Sequence, residues 1–316
     1  MNKRDLIERY VVCSSCQSVV RLVDGGTSLE CLNCGKRFSV LHDDIPMMVD
    51  SSMTDNELSQ SKWDSFYQDR PWPNLEGDFR EHAMEVILRQ LQEPFENRDL
   101  SESKTYLEIG CGSGFVGEEL MKSGWLFIGV DFSLTALRAL RNRLSDRSLH
   151  NCLLIYGNIE CLPIVSNSIS LVGGYGVVEH LKDPSPALKH IYRVLERGGI
   201  SFNTVPYLNL ANVLYRSIIW GSIPNIPILK QILEFINITL LQGRRMTFGY
   251  ELQLSGHQLR KMHSNAGFHP NNICVDKFEC EVKLECIKPR WLNQSCRYLC
   301  KRYRQFWPMV KVIATK

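Results

Sequence analysis

The sequence predicts an α/β fold with a doubly wound, mostly parallel sheet and a small N-terminal module. Between residues 105 and 204, short apolar runs of strand length alternate with segments of helical spacing, which is typical of parallel sheets covered by helices. A glycine-rich turn follows the first of these strands and opens a helix. Four cysteines lie within residues 13–34, and the next cysteine is Cys111. The cysteines therefore mark a separate module before the α/β region.

Each predicted element has its own signal in the sequence. Apolar runs predict buried strands over residues 105–109, 126–130, 152–156, 169–172 and 200–204, and a final strand over residues 309–314. Apolar spacing predicts helices over residues 78–92, 115–122, 134–144 and 187–195, two helices within 207–241, and one capped by Ser255 that ends before Gly267. The polar stretch over residues 50–61 is interpreted as a linker.

Composition and charge exclude several classes of protein. Of the 316 residues, 44% are hydrophobic and 22% are charged, which excludes a mainly disordered or collagen-like chain. The run from Gly198 to Tyr215 lacks charge but contains polar residues and Pro206, so we expect no membrane span. The N-terminal residues show no secretory signal. We therefore expect a cytoplasmic protein with reduced thiols.

The four N-terminal cysteines have the spacing of a metal site. Cys13 and Cys16 form one CxxC pair, and Cys31 and Cys34 form a second pair fourteen residues later. Two such pairs present four thiolates to one tetrahedral ion, so the pattern predicts a closed structural zinc site in a zinc ribbon. The gap suits a β-hairpin that turns at residues 24–26. A ribbon that has lost its metal and a redox pair are the alternatives.

The glycine-rich turn over residues 107–115 carries the main functional signal. Gly112, Gly114 and Gly117 fit a dinucleotide-binding GxGxxG pattern, with Asp131 nineteen residues beyond the first glycine. Glu108, two residues before Gly110, would repel a pyrophosphate but would help to hold a cationic amino-acid ligand. Asp131 ends the second strand, where a carboxylate can accept hydrogen bonds from ribose hydroxyls. The neighbouring residues therefore favour a ligand other than NAD.

Five motifs occur in order over residues 107–115, 128–133, 156–163, 174–181 and 193–199. Together they resemble the class I S-adenosylmethionine-dependent methyltransferases, which have a Rossmann-like fold, in the branch with quinone and small-molecule enzymes. The resemblance covers about residues 100–205, with a weaker similarity over 254–268. It implies that the methionine part of the cofactor is surrounded by Glu108, Gly110, Gly112 and Gly114, and that Asp131 binds the ribose. Phe132, Asn158 and Ile159 would lie near the adenine, and Tyr175 would face the cofactor. The family usually has Asp where Asn158 stands. The alternative for Phe132 and Ile159 is that they are core residues without a role in cofactor binding.

The predicted domain boundaries follow from these patterns. They are a zinc-ribbon module (1–50), a linker with cap helices (51–100), a methyltransferase cofactor-binding core (101–206), an apolar helical insertion or lid (207–253), and a C-terminal completion of the fold with a basic tail (254–316).

His180 is the candidate general base, because it follows the fourth strand and its pKa suits physiological pH. A structural histidine is the alternative. His257, His263 and His269 have no metal-ligand spacing and are interpreted as surface or helix residues. The sequence shows no pair of acids beside the fourth strand at metal-ligand spacing, so we predict no magnesium-dependent enzyme.

The acceptor is predicted from the insertion and the tail. The insertion is apolar and aromatic, and residues 288–316 carry eight Lys or Arg and no acid. We expect a small-molecule, lipid or lipid-linked glycan acceptor and a peripheral membrane contact. The alternative to the membrane contact is a helical lid that packs on the protein's own core.

The second hypothesis is an enzyme that methylates guanine in ribosomal RNA, although residues 1–50 are not basic. A non-catalytic cofactor-binding or partner-docking subunit is the third. The oligomeric state is left open.

Overall fold

The computed structural model describes residues 3–49, 57–69, 85–91, 104–278, 294–295, 298–299 and 302–316. The helices are α1 (Lys3–Tyr10), α2 (Glu57–Asp69), α3 (residues 85–91), α4 (Phe115–Lys122), α5 (Leu134–Arg143), α6 (Asp146–Leu149), α7 (Ser185–Val194), α8 (Leu210–Ile219), α9 (Pro227–Glu234) and α10 (Gly256–Ala266). The strands are β1 (Val20–Val23), β2 (Ser28–Cys31), β3 (Arg37–Ser39), β4 (Thr105–Ile109), β5 (Leu126–Asp131), β6 (Cys152–Tyr156), β7 (Ile169–Tyr175), β8 (Leu195–Pro206), β9 (Ile223–Pro224), β10 (Leu252–Gln253), β11 (Ile273–Lys277) and β12 (Met309–Thr315).

The central sheet has seven strands in the order β11-β12-β8-β7-β4-β5-β6. The five strands β8, β7, β4, β5 and β6 run parallel to one another. Strand β12 pairs antiparallel with both β8 and β11. Strands β4 and β7 are buried along nearly their whole length, which explains their continuous apolar sequence. The predicted doubly wound, mostly parallel α/β fold is confirmed.

Most predicted elements lie where the sequence placed them, but several observed elements differ from the prediction. Helices α1 and α6 and strands β9 and β10 were not predicted. The polar stretch 50–61 was interpreted as a linker, but α2 begins at Glu57. Strand β8 begins at Leu195, five residues before the start of the strand predicted over 200–204. Strand β11 was not predicted, because its burial alternates and it carries charged Asp276 and Lys277. Of the helix predicted over 78–92, residues 85–91 are helical and the others lie outside the described residues.

The N-terminal module packs directly on the sheet. Strands β1, β2 and β3 form a three-stranded antiparallel sheet, with the predicted turn at Asp24–Gly26. Buried Leu6 and Leu29 belong to the same hydrophobic cluster as residues of β4 and β5. Met48 also donates a backbone hydrogen bond to the carbonyl of Tyr156, at the end of β6. The module therefore supports one side of the edge where β6 ends.

Helices α8 and α9 lie on either side of β9 in the chain, and both contact it. A π-helical turn, Phe235–Leu240, follows α9. Helix α10 is capped by Ser255, in a capping box with Gln258, and ends at Ala266 before Gly267; the Ser255 cap and this end were predicted. No helix in the described ranges is both long enough and apolar enough to span a bilayer.

Candidate functional site

The carboxyl ends of the parallel strands open into one cavity. Seven of the ten residues predicted to bind cofactor or act in catalysis line it: Gly110, Asp131, Phe132, Asn158, Ile159, Tyr175 and His180. Their positions follow from topology, because the loops after neighbouring parallel strands meet at one edge of the sheet. The other three residues are not among the cavity lining: Glu108 lies in β4, and Gly112 and Gly114 lie in the loop that follows it.

The glycine loop needs its glycines for two physical reasons. Gly110 and Gly112 have φ angles of +55° and +43°, a region that disfavours other residues. A Cβ on Gly110 would come within 2.8 Å of the Val177 side chain, and one on Gly112 within 2.1 Å of the Tyr67 hydroxyl oxygen. The loop is therefore bare backbone, close to side chains that arrive from elsewhere in the chain.

Asp131 is fixed by the backbone on both of its oxygens. The amide of Gly112 donates to Oδ2 and the amide of Ser133 donates to Oδ1, each at 2.7 Å. Burial raises the pKa of Asp131 to about 6, although these amides lower it. Each carboxylate oxygen can accept a second hydrogen bond, so the group can also receive hydroxyl donors from a ligand in the cavity.

Glu108 lies behind the loop, where it accepts a hydrogen bond from the Gly117 amide at 3.2 Å. Burial, together with the nearby Asp131 carboxylate, raises the pKa of Glu108 to about 8. At neutral pH this carboxyl is therefore mostly protonated. A cation placed near it would lower its pKa and restore the charge. Glu108 is not among the residues that line the cavity, and its expected place around the methionine part of the cofactor stays a prediction.

The opposite end of the cavity is formed by residues after β5 and β6. The side-chain oxygen of Asn158 accepts from the Glu160 amide at 2.9 Å and caps a short 3₁₀ turn. Asn158 therefore has a structural role that the sequence did not reveal. Ile159 belongs both to the cavity wall and to the hydrophobic core, whereas Phe132 is half-buried against the cavity.

Helix α2 covers the cavity, and sequence reasoning missed its contribution. Gln60, Trp63 and Tyr67 line the cavity. The Gln60 side chain donates to the Tyr156 hydroxyl at 3.1 Å, and Ser133 donates to Asp64 at 2.6 Å, which ties α2 to the strand ends. Aromatic residues at positions 63, 66 and 67 have helical spacing within a polar segment, and this was the signal available in the sequence.

His180 lies in a 3₁₀ turn after β7 and is buried at the cavity wall. Its Nδ1 lies 2.6 Å from the Tyr250 carbonyl oxygen, so Nδ1 carries the hydrogen and Nε2 is the basic nitrogen of the neutral ring. Burial lowers the pKa of His180. The Trp63 ring packs edge-on against the His180 ring, with ring centroids 5.6 Å apart.

The three histidines late in the chain differ in burial. His257 and His269 are exposed at the surface, whereas His263, on α10, is buried in the core.

The four N-terminal cysteines meet at one point. Their sulfur atoms all lie within 4.8 Å of one another, with Cys13 to Cys34 at 3.7 Å and Cys16 to Cys31 at 3.4 Å. A tetrahedral zinc ion with metal–sulfur bonds of about 2.3 Å needs sulfurs about 3.8 Å apart. The donor set and spacing therefore fit zinc, and no fifth ligand is needed.

Comparison with known proteins agrees with this geometry. A family model described as "Methyltransferase domain" matches residues 107–202. A Mycolicibacterium smegmatis protein named "Probable S-adenosylmethionine-dependent methyltransferase" is 28% identical over 128 residues, which are 40% of this chain and 45% of that protein. The demethylmenaquinone methyltransferase of Listeria monocytogenes is 35% identical over 98 residues, 29% of this chain and 40% of the relative.

A solved structure extends the likeness in fold. Magnesium protoporphyrin IX methyltransferase from Synechocystis, solved with bound SAH, aligns with a TM-score of 0.53 over 83% of this chain and all of its own, at 14% identity. Residues 107–202 thus match a methyltransferase domain, and the chain has the Rossmann-like α/β fold of methyltransferases. The chain spans less than half the length of the two curated relatives described above.

Proposed function

We propose that this protein transfers a methyl group from S-adenosylmethionine to a small-molecule, lipid or lipid-linked glycan acceptor. The observation that carries the proposal is the cavity that joins Gly110, Asp131, Tyr175 and His180 at one edge of the sheet. The similarity to a demethylmenaquinone methyltransferase supports an acceptor of low polarity. The aromatic wall from α2 favours the same class of acceptor.

The proposed roles follow from the contacts of each side chain. Asp131 accepts hydrogen bonds from the ribose hydroxyls, because its carboxylate is already oriented by two backbone amides. Glu108 provides negative charge beneath the loop for the amino group of the cofactor, and Phe132 and Ile159 form the apolar wall for adenine. S-adenosylmethionine, when bound, supplies an electrophilic methyl group. The protein has to align the acceptor and exclude water.

His180 would serve as the base when the acceptor must lose a proton. Its Nδ1–H is held by the Tyr250 carbonyl, which leaves Nε2 as the proton-accepting nitrogen. Because burial lowers the pKa of His180, the ring is neutral at physiological pH and competent to accept a proton.

We also propose that Cys13, Cys16, Cys31 and Cys34 bind a structural zinc ion, which stabilises the module beside β6.

Ligand binding tests the proposal without knowledge of the acceptor. The full chain is titrated with S-adenosylmethionine, S-adenosylhomocysteine and NAD by calorimetry, and its melting temperature is measured with each. We expect binding and a higher melting temperature with the first two ligands and no response to NAD. A response to NAD alone would support the dinucleotide reading of the glycine loop and contradict the proposal.

A further inference from the structure

The segment 207–250 exposes an unusual number of large hydrophobic side chains. Thirteen such side chains are exposed among the described residues, and nine of them lie in this segment: Leu210, Leu214, Ile218, Ile219, Ile226, Ile228, Ile232, Phe235 and Leu240. Single exposed aliphatic residues are normal on a protein surface, but a concentration of this kind marks a contact surface. We call these nine residues the insertion face.

The exposed residues follow helical spacing. On α8, Leu210, Leu214 and Ile218 recur every fourth residue and are 71%, 57% and 60% exposed, so they form one stripe. On α9, Ile228 and Ile232 are 74% and 50% exposed and repeat the same spacing. Each helix thus directs an ordered apolar stripe outward, which is the pattern of an amphipathic helix whose apolar side has no partner within the described chain.

The opposite side of α8 is anchored to the protein by polar contacts. The buried Asn212 amide donates to the carbonyls of Tyr207 and Pro308, at 2.6 and 3.0 Å. Arg216 forms a buried ion pair with Glu251 at 2.9 Å. These contacts fix the rotation of α8, so its apolar stripe is held outward by the fold.

The exposed charged residues of the segment 207–250 are both positive. Residues 207–251 contain four basic residues and two acids, Glu234 and Glu251, a net charge of +2, and Glu251 is paired with Arg216. The carboxylate of Glu234 accepts a hydrogen bond from the Tyr250 hydroxyl at 2.6 Å. Arg244 and Arg245 are exposed, and Arg245 donates to the Ile218 carbonyl at 2.5 Å, which places a cation at the end of the α8 stripe.

A second basic group borders α8 from the tail. The short turn Arg304–Phe306 contacts α8, and Arg302, just before it, is exposed. Helices with an apolar face and basic residues at its margin bind at the interface of anionic bilayers, where apolar burial and attraction to headgroups act together. A symmetric contact between two copies of the face would instead bring its arginines together.

We propose that the insertion face docks peripherally on an anionic lipid bilayer. This inference rests on the proposed function in one respect: a lipid or lipid-linked acceptor, which is reached at a membrane surface, gives the docking its biological role. The stripe inserts among the acyl chains near the headgroups, and Arg244, Arg245 and Arg302 contact lipid phosphates.

Co-sedimentation of the full chain with vesicles tests this proposal. The vesicles consist of phosphatidylcholine, with or without phosphatidylglycerol. The test variant is Leu214→Ser/Ile218→Ser on α8. Its matched control is Val19→Ser/Leu32→Ser, which also changes two exposed aliphatic residues, 60% and 58% exposed, but outside the insertion face. A third variant, Arg244→Gln/Arg245→Gln, removes two of the basic residues.

We expect the native chain and the control to bind vesicles with phosphatidylglycerol. The α8 variant should lose at least about tenfold in partitioning, because two aliphatic side chains no longer leave water. The arginine variant should bind more weakly, and added salt should have less effect on it.

Equal binding by the α8 variant and its control would overturn the proposal. Absence of binding by the native chain would also overturn it, as would a concentration-dependent dimer in sedimentation velocity that the α8 variant abolishes. S-adenosylmethionine affinity is measured on the same samples. If the native chain binds S-adenosylmethionine but not vesicles, docking alone is contradicted, whereas vesicle binding without cofactor binding contradicts the proposed function alone.

Discussion

The Asp131→Asn variant tests the roles assigned to the most constrained side chain of the site. In the native chain, each carboxylate oxygen accepts one backbone N–H at 2.7 Å. Asparagine offers one oxygen and one NH2 group, so one of these buried amides would face a donor. The loss of one buried hydrogen bond costs about 1–3 kcal/mol, and we expect the free energy of unfolding to fall by about 2 kcal/mol.

Cofactor affinity should fall as well, for a separate reason. Burial raises the pKa of Asp131 to about 6, so the group is mostly charged at pH 7 and above. Loss of a charge-assisted bond to a ribose hydroxyl costs about 1.5–3 kcal/mol, which corresponds to a rise in Kd of about 10- to 150-fold.

Calorimetric titration with S-adenosylhomocysteine measures this change, and urea unfolding measures stability. Asp276→Asn is the matched control, because Asp276 is exposed on β11, and it should change neither quantity. A variant at Asp131 that loses stability but keeps its Kd within about threefold of the native value would refute the reasoning. Asp131 would then be a structural residue of the loop only.

The remaining predictions concern the loop and the cysteines. Burial raises the pKa of Glu108 from 4.5 to about 8, so the folded state holds this proton more tightly and stability falls as pH rises between these values. Glu108→Gln should flatten that decline in pH-dependent urea unfolding, and an unchanged slope would argue against the raised pKa. Gly112→Ala should lower stability by about 1–3 kcal/mol, through its positive φ and its contact with the Tyr67 hydroxyl. Part of this loss should be recovered in the Tyr67→Phe background, and full additivity of the two changes would contradict the contact. Cys34→Ser should release zinc, measured by mass spectrometry, and lower the melting temperature, whereas Cys274→Ser, an exposed cysteine of β11, should do neither; equal zinc content in both variants would contradict the site.

The sequence predicted best the features that depend on local pattern. The strands β4 to β8 are buried in an apolar interior, so their side chains are apolar in continuous runs and visible without any structure. The CxxC pairs and the glycine loop were equally visible, because chemistry and backbone conformation restrict the residues at each position. The cavity then followed from topology, since neighbouring parallel strands end at one edge.

The features that escaped prediction depend on contacts between distant parts of the chain. Helix α2 is polar for most of its length, and the place of Trp63 at the cavity depends on packing against the distant residues His180 and Phe248. Asn158 was expected to face a ligand, yet its oxygen caps a local turn. The outward stripe of α8 has the same sequence pattern as a buried helix face, and only the exposed fractions of Leu214 and Ile218 distinguish the two.

The central proposal, methyl transfer to an apolar acceptor, is tested most directly by labelling. A lysate of the host is incubated with the full chain and radioactive S-adenosylmethionine, then separated into organic, aqueous, protein and RNA fractions. We expect label in the organic fraction, reduced at least about tenfold with Asp131→Asn and unchanged with Asp276→Asn. Label confined to an RNase-sensitive fraction, or equal labelling by the native chain and Asp131→Asn, would contradict the proposal.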